Sequence, residues 1–144
     1  MKKTILLIED NPEILDNTIE LLEMAGYDII AAKNGEEGVN FAAEHQPNLI
    51  ISDILMPRLD GYQVLRKVKD SIATASIPFV FLSASAQQVD IEKGKMSGAD
   101  AYLVKPFSLE ELKAVIERLI WCNLFFFLIK WLKIKWFDVQ SFNQ

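Results

Sequence analysis

The feature that most constrains this chain is a short apolar run that ends in one carboxylate, residues 49–53, with Met56-Pro57 just after it. An apolar run between turn-forming residues is typical of a strand buried on both faces of a parallel sheet. In open parallel α/β sheets, ligands bind outside the carboxyl ends of the strands, which is where Asp53 stands. An Asp here is also a common turn former or helix cap, so this stretch alone leaves both interpretations open.

Three other stretches have the same form, an apolar run followed by a polar residue. They are residues 4–8 before Glu9-Asp10, residues 79–82 before Ser83, and residues 102–104 before Lys105-Pro106. If these strands are parallel neighbours of the first, three carboxylates, a hydroxyl and an ammonium group converge on one edge of the sheet. We therefore expect one polar site at that edge.

The chemistry of such a site follows from its charges. Three carboxylates close together repel, so they must take up protons or hold a cation. Mg²⁺ is the hard, oxygen-binding ion that best suits them. Lys105 and the Ser83 hydroxyl can hold an anionic group beside the metal. Metal, carboxylate nucleophile, lysine and hydroxyl are together what phosphoryl transfer to an aspartate requires.

In the order and spacing of these motifs, the chain resembles the receiver domain of response regulators in two-component signalling, from Lys3 to about Leu119. The motifs are Glu9-Asp10, Asp53 with Met56-Pro57 and Gly61, Ser83-Ala84, and Lys105-Pro106-Phe107. Each motif is weak by itself. Their order and their common place at strand ends make the joint match specific.

Strand and helix patterns alternate along the chain, which predicts a doubly wound α/β domain of five parallel strands and five helices with right-handed crossovers. The resemblance implies the flavodoxin-like strand order 2-1-3-4-5. The first helix follows Asn11-Pro12, and the fourth lies between Gln87 and Ser97. The inward face of the first helix is predicted to include Ile14, Thr18, Leu21, Leu22 and Ala25.

The resemblance also implies roles for the residues at the strand ends. Asp53 is expected to be the nucleophile that accepts phosphoryl from a histidine kinase or a phosphotransfer protein. Glu9, Asp10 and Asp53 are expected to bind Mg²⁺ directly or through water, with the backbone carbonyl of Leu55 as a further ligand. Lys105 is expected to neutralise a phosphoryl oxygen. The domain would then be a signalling phosphoacceptor and not an enzyme beyond its own phosphorylation and dephosphorylation.

A switch is implied by the same resemblance. Ser83 would turn its hydroxyl toward the phosphoryl group and Tyr102 would swing inward behind it, which remodels the face made by the fourth helix, fifth strand and fifth helix for a downstream effector protein. An ordinary half-buried strand aromatic is the other interpretation of Tyr102. The Lys105-Pro106 peptide bond is expected to be cis.

Two other functions fit a doubly wound fold. A metal-dependent phosphatase with an aspartyl-phosphate intermediate usually has a second carboxylate two residues after the nucleophile, but Leu55 stands there. A flavodoxin-like cofactor binder needs a phosphate-cradling loop after the first strand, but Glu9 and Asp10 would repel phosphate.

Composition limits the setting. The 144 residues suffice for one domain with a core, and the amino terminus shows no signal peptide, since Met1-Lys2-Lys3 leads straight into a strand. The single Cys122 excludes an internal disulfide and fits a reducing compartment, so a cytoplasmic location is expected. The net charge of −5 gives no basic footprint for nucleic acid.

The last residues differ in composition, so we predict a receiver domain over 1–120 and an aromatic-rich extension over 121–144. Residues 119–144 carry a net charge of +2, which leaves −7 for residues 1–118, and they hold eight of the fifteen aromatics. Residues 119–129 lack charge but are too few to span a membrane, which takes about 20. An apolar seam suggests a homodimer through the last helix and tail: Leu112, Val115, Leu119, Cys122, Phe126 and Ile129. A remnant of a truncated or altered reading frame and membrane-surface docking are the alternatives.

Overall fold

The structure of the chain, a computed structural model, describes residues 2–121 and residue 128. Strands and helices alternate along it: β1 (Thr4–Ile8), α1 (Pro12–Met24), β2 (Asp28–Ala32), α2 (Gly35–His45), β3 (Leu49–Asp53), α3 (Gly61–Asp70), β4 (Phe79–Ser83), α4 (Gln88–Met96) and β5 (Ala101–Val104). A further helix, α5, includes residues 109–121. The strands form one parallel sheet in the order β2-β1-β3-β4-β5, which confirms the predicted doubly wound fold.

The sheet is buried on both faces because helices cover each of them. Alternate side chains of each strand point to opposite faces, so Leu6, Ile50 and Phe81 pack on one side while Leu7 and Val80 pack on the other. The strands β1, β3 and β4 therefore need apolar residues at almost every position. This is why they are continuous apolar runs in the sequence.

Side-chain caps account for where most of the helices begin. The Asn11 side chain accepts hydrogen bonds from the backbone amides of Glu13 and Ile14, with a proline at the first position of α1. Asp60 and Gln63 form a capping box at the start of α3. Ser108 Oγ accepts from the backbone amide of Glu111, 3.1 Å away, at the start of α5. By contrast, α4 has no side-chain cap at its first turn.

The predicted inward face of α1 is wrong by one residue. The buried positions are Leu15, Thr18 and Leu22, whereas Ile14 is 36% exposed. Successive residues of a helix point about 100° apart, so a side chain one place before Leu15 leaves the buried stripe. Thr18 is tolerated inside because its hydroxyl donates to the Ile14 carbonyl at 2.7 Å.

The carboxyl-terminal prediction lies almost wholly outside the described residues. Of the extension proposed for 121–144, the structure describes Trp121 and Leu128, and both are exposed. The predicted seam positions Cys122, Phe126 and Ile129 are not among the described residues, and the other three, Leu112, Val115 and Leu119, pack on the core of the chain itself. Within the described part of the chain, no helix combines the length and apolar character needed to cross a membrane.

Candidate functional site

The carboxyl edge of the sheet brings the three predicted carboxylates together. Glu9 and Asp10 follow β1, and Asp53 ends the neighbouring strand β3. Each of the three contributes an oxygen atom, and these oxygens all lie within 4.8 Å of one another. Glu9 is buried, Asp10 is exposed and Asp53 is partly exposed, so the cluster reaches from the sheet edge to solvent.

Lys105 supplies the cation that the sequence predicted at this edge. Its Nζ lies 3.6 Å from Glu9 Oε1 and 3.6 Å from Asp53 Oδ1. The residue follows β5 and is tied to the end of β4, because its backbone amide donates to the Ser83 carbonyl at 2.7 Å. The Lys105-Pro106 peptide bond is cis, as expected.

Local hydrogen bonds fix the Asp53 carboxylate. Its Oδ1 accepts from the backbone amide of Ile54 at 2.9 Å, and the same oxygen faces Lys105. Gly61, the first residue of α3, lies against the Asp53 backbone, where a Cβ would overlap the Asp53 carbonyl oxygen and the Ile54 Cα. The loop therefore needs a glycine here to let α3 begin beside the end of β3.

Burial and the neighbouring carboxylates raise the proton affinity of Glu9. Burial first, and then the neighbouring Asp53 and Asp10, raise the pKa of Glu9 from an ordinary 4.5 to about 8, although Lys105 acts in the opposite direction. One lysine therefore does not balance the three carboxylates. A buried carboxyl beside two other carboxylates is a place where a divalent cation is favoured.

The donor set fits a magnesium ion. Carboxylate oxygens are the ligands that Mg²⁺ prefers, and Glu9, Asp10 and Asp53 offer them within one small volume. The Leu55 side chain is 80% exposed. It offers no acid group at the position where the phosphatase alternative requires one, and the ligand role of its carbonyl stays a prediction.

Ser83 and Tyr102 are linked through one residue of the β4–α4 loop. The backbone amide of Ser85 donates to Ser83 Oγ at 3.1 Å, and the Tyr102 hydroxyl donates to the Ser85 carbonyl at 3.1 Å. The Tyr102 ring also packs on α4, because a Cβ at Gly94 would lie 2.6 Å from Tyr102 Cδ2. The two predicted switch residues are therefore connected, although their role as a switch stays a prediction.

Sequence reasoning missed Asp90 and Gly94. Asp90 accepts a hydrogen bond from the Ser85 hydroxyl, and Gly94 is the residue of α4 that lets Tyr102 approach. An acidic residue in the first turn of a helix is common. Asp90 stands five residues after Ser85, a spacing that matches no capping motif. The sequence therefore carries no signal that predicts the contact of Asp90 with Ser85.

The sequence matches a known protein family over most of its length. The family model described as "Response regulator receiver domain" matches residues 5–117. The DNA-binding dual master transcriptional regulator RpaA of Synechocystis sp. is 42% identical over 116 residues, which are 81% of this chain and 48% of RpaA. Protein PilG of Pseudomonas aeruginosa is 40% identical over 113 residues, covering 78% of this chain and 84% of PilG. The chain thus spans about half the length of RpaA and most of PilG.

Solved structures agree with the sequence matches. The receiver domain of the sensor histidine kinase PA1611 from Pseudomonas aeruginosa, with a magnesium ion coordinated in its active site cleft, superposes with a TM-score of 0.78 at 32% identity and covers 83% of this chain and 98% of that one. The chemotaxis protein CheY4 of Vibrio cholerae gives 0.77 at 28% identity, with 83% and 99% covered. These relatives support the same family as the fold and the motifs at the strand ends. They do not favour the phosphatase alternative. The chain belongs to the response regulator receiver domains, the signalling domains of two-component systems.

Proposed function

We propose that this receiver domain accepts one phosphoryl group on Asp53 from the phosphohistidine of a histidine kinase or a phosphotransfer protein. The observation that carries the proposal is the convergence of Glu9, Asp10, Asp53 and Lys105 at one sheet edge. A structural role does not explain why three carboxylates stand together with a single lysine, since their repulsion costs stability.

The transfer requires little of the protein beyond position and charge. An oxygen of the Asp53 carboxylate forms the new bond to phosphorus while the bond from phosphorus to the donor imidazole nitrogen breaks. The electron pair stays on that nitrogen, which takes up a proton from solvent. The Ile54 amide and Lys105 both face Oδ1, so they hold the carboxylate in one orientation and leave Oδ2 outside these two contacts.

A magnesium ion belongs to the proposal. When bound by Glu9, Asp10, Asp53 and the Leu55 carbonyl, it supplies positive charge for the phosphoryl oxygens. Lys105 binds a second side of the phosphoryl group, and the Ser83 hydroxyl donates to one of its oxygens. The raised pKa of Glu9 supports the metal, because burial and the charges of Asp53 and Asp10 together outweigh the attraction of Lys105 for the Glu9 carboxylate.

Phosphorylation is proposed to act through Ser83 and Tyr102. Ser83 Oγ is bound to the Ser85 amide and Tyr102 is bound to the Ser85 carbonyl, so a movement of Ser83 is passed to Tyr102 through one residue. Tyr102 packs on Gly94, which couples it to α4. The face of α4, β5 and α5 would then change its affinity for a downstream effector protein.

The test is phosphorylation by a small phosphodonor. Purified protein is incubated with acetyl phosphate and Mg²⁺, and intact mass and sensitivity to hydroxylamine report the acyl phosphate. The wild-type chain should gain one phosphoryl group and Asp53→Asn none, while Asp16→Asn, an exposed carboxyl on α1, should behave as wild type. Uptake by Asp53→Asn at a comparable rate excludes Asp53 as the acceptor. Continuous turnover of the phosphodonor without a stable adduct supports the phosphatase.

The remaining proposals concern the setting of the domain. A cytoplasmic location fits a chain whose one cysteine excludes an internal disulfide.

The segment 121–144 is proposed as an extension through which, together with the last helix, two copies of the chain form a homodimer. Exposed apolar side chains support this, because Trp121 is 67% and Leu128 is 53% exposed. Measuring the solution mass of the full chain and of a deletion of 122–144 tests it. The full chain should be dimeric and the deletion monomeric, and a monomeric full chain contradicts the dimer.

A further inference from the structure

Four hydrogen bonds of the β4–α4 loop converge on Ser85. Its backbone amide donates to Ser83 Oγ at 3.1 Å, and its carbonyl accepts from the Tyr102 hydroxyl at 3.1 Å. Its own hydroxyl donates to Asp90 Oδ2 and accepts from the backbone amide of Gln87 at 3.3 Å. Every polar group of Ser85 is therefore used, and two of its partners are the predicted switch residues.

Asp90 is the member of this network that belongs to α4. It lies in the first turn of a helix that lacks a side-chain cap and buries only Gly94. A carboxylate in this turn is favoured by the helix dipole, and a hydroxyl that donates to it makes a charge-assisted hydrogen bond. Asp90 thus ties the start of an otherwise weakly held helix to the loop that follows β4.

We infer that Asp90 is a positioning residue for phosphoryl acceptance, acting through Ser85 on Ser83 and Tyr102. The inference rests on the function proposed above. Asp90 holds the Ser85 hydroxyl, and this fixes the Ser85 backbone so that its amide faces Ser83 Oγ and its carbonyl faces the Tyr102 hydroxyl.

The consequence for Ser83 is a matter of donors and acceptors. Because the Ser83 oxygen already accepts from the Ser85 amide, its own proton is left to donate to a phosphoryl oxygen. Hydrogen bonds in such a chain polarise one another, so the amide makes the Ser83 hydroxyl a better donor. Without Asp90, Ser85 can rotate, and Ser83 and Tyr102 lose their common anchor.

The first test is a set of rate measurements with acetyl phosphate and Mg²⁺. Asp90→Ala and Ser85→Ala should each slow phosphorylation on the order of fivefold, and the double variant should be no slower than either single one, because all three lack the same hydrogen bond. Asp90→Asn keeps an acceptor oxygen and should recover most of the rate. Glu92→Ala is the matched control and should leave the rate unchanged. It also removes a carboxylate from α4, but among the described residues that carboxylate accepts a hydrogen bond only from the exposed Gln88.

The second test uses the unphosphorylated protein and separates this inference from the proposed function. With 3-fluorotyrosine incorporated, the ¹⁹F resonance of Tyr102, assigned with Tyr102→Phe, should shift or broaden in Asp90→Ala. Tyr27, which packs on the other face of the sheet, should keep its resonance. If wild-type protein takes up no phosphoryl, the proposed function fails while this spectrum still reports the link. An unchanged Tyr102 resonance, equal losses in Asp90→Asn and Asp90→Ala, or additive losses in the double variant overturn the inference.

Discussion

Replacing Glu9 with glutamine tests the electrostatics of the site directly. Burial, Asp53 and Asp10 raise the pKa of Glu9 to about 8, whereas the unfolded chain has a pKa near 4.5. Between these values the folded chain keeps a proton that the unfolded chain has released. The free energy of unfolding therefore falls as pH rises from 4.5 to about 8, and it is highest below that range.

The size of the effect follows from the pKa difference. At neutral pH, holding a proton on a carboxyl whose ordinary pKa is 4.5 costs about 3 kcal/mol of folding free energy. Glutamine has the same shape, carries no charge at any pH and can donate to Asp53, but it gives up the attraction that Lys105 has for the Glu9 carboxylate above pH 8. Without metal, Glu9→Gln should therefore raise the free energy of unfolding by about 1–3 kcal/mol at neutral pH.

Urea unfolding followed by circular dichroism measures the free energy of unfolding of both proteins at about pH 5.5, 7 and 8.5, with a chelator present to keep the site free of metal. The free energy of unfolding of Glu9→Gln should depend less on pH than that of wild type. It should also increase less when Mg²⁺ replaces the chelator, since one ligand is lost. Glu44→Gln, an exposed carboxyl on α2, is the matched control and should follow wild type. If Glu9→Gln and wild type lose stability equally as pH rises, the raised pKa is not a property of the folded site.

Three further substitutions test neighbouring parts of the site. Lys105→Ala should slow phosphorylation by acetyl phosphate on the order of tenfold or more, because the charge beside the phosphoryl group is lost, and an unchanged rate would exclude its role. Asp10→Asn should raise the melting temperature without metal and weaken the response to Mg²⁺, and a melt insensitive to Mg²⁺ in wild type would count against the metal cluster. Gly61→Ala should lower the free energy of unfolding by about 1–3 kcal/mol in urea, since its Cβ meets the backbone of Asp53 and Ile54; a neutral effect would show that the loop can yield.

The sheet could be predicted from the sequence because each central strand is an apolar run with a polar residue after it. Residues 49–53 and 4–8 carry that signal, and the strand ends brought Glu9, Asp53 and Lys105 to one edge as expected. The buried face of an amphipathic surface helix is less closely determined by its sequence. In α1 the choice between Ile14 and the next residue depends on how the helix is rotated against the sheet, which periodicity alone leaves open by one position.

The loop after β4 could not be predicted for a different reason. No sequence motif singles out Ser85 or Asp90. Their contact depends on the path of the loop and on the unusual start of α4, whose first turn has no side-chain cap. The raised pKa of Glu9 could not be predicted either, because it follows mainly from burial at a strand end and not from residue type.

The geometry of Lys105 connects the stability cost of the site with the phosphoryl acceptance proposed for Asp53. At 3.6 Å its ammonium is attracted to Glu9 and Asp53 but is too far for a short hydrogen bond with either. Under the proposed function, a phosphoryl group on Asp53 would bring oxygens nearer to the lysine than the bare carboxylate does. The charges that remain unbalanced in the unmodified chain would then become favourable once a cation and a phosphoryl group share the site. Selection for that proposed state would account for carboxylates that lower the stability of the domain by themselves.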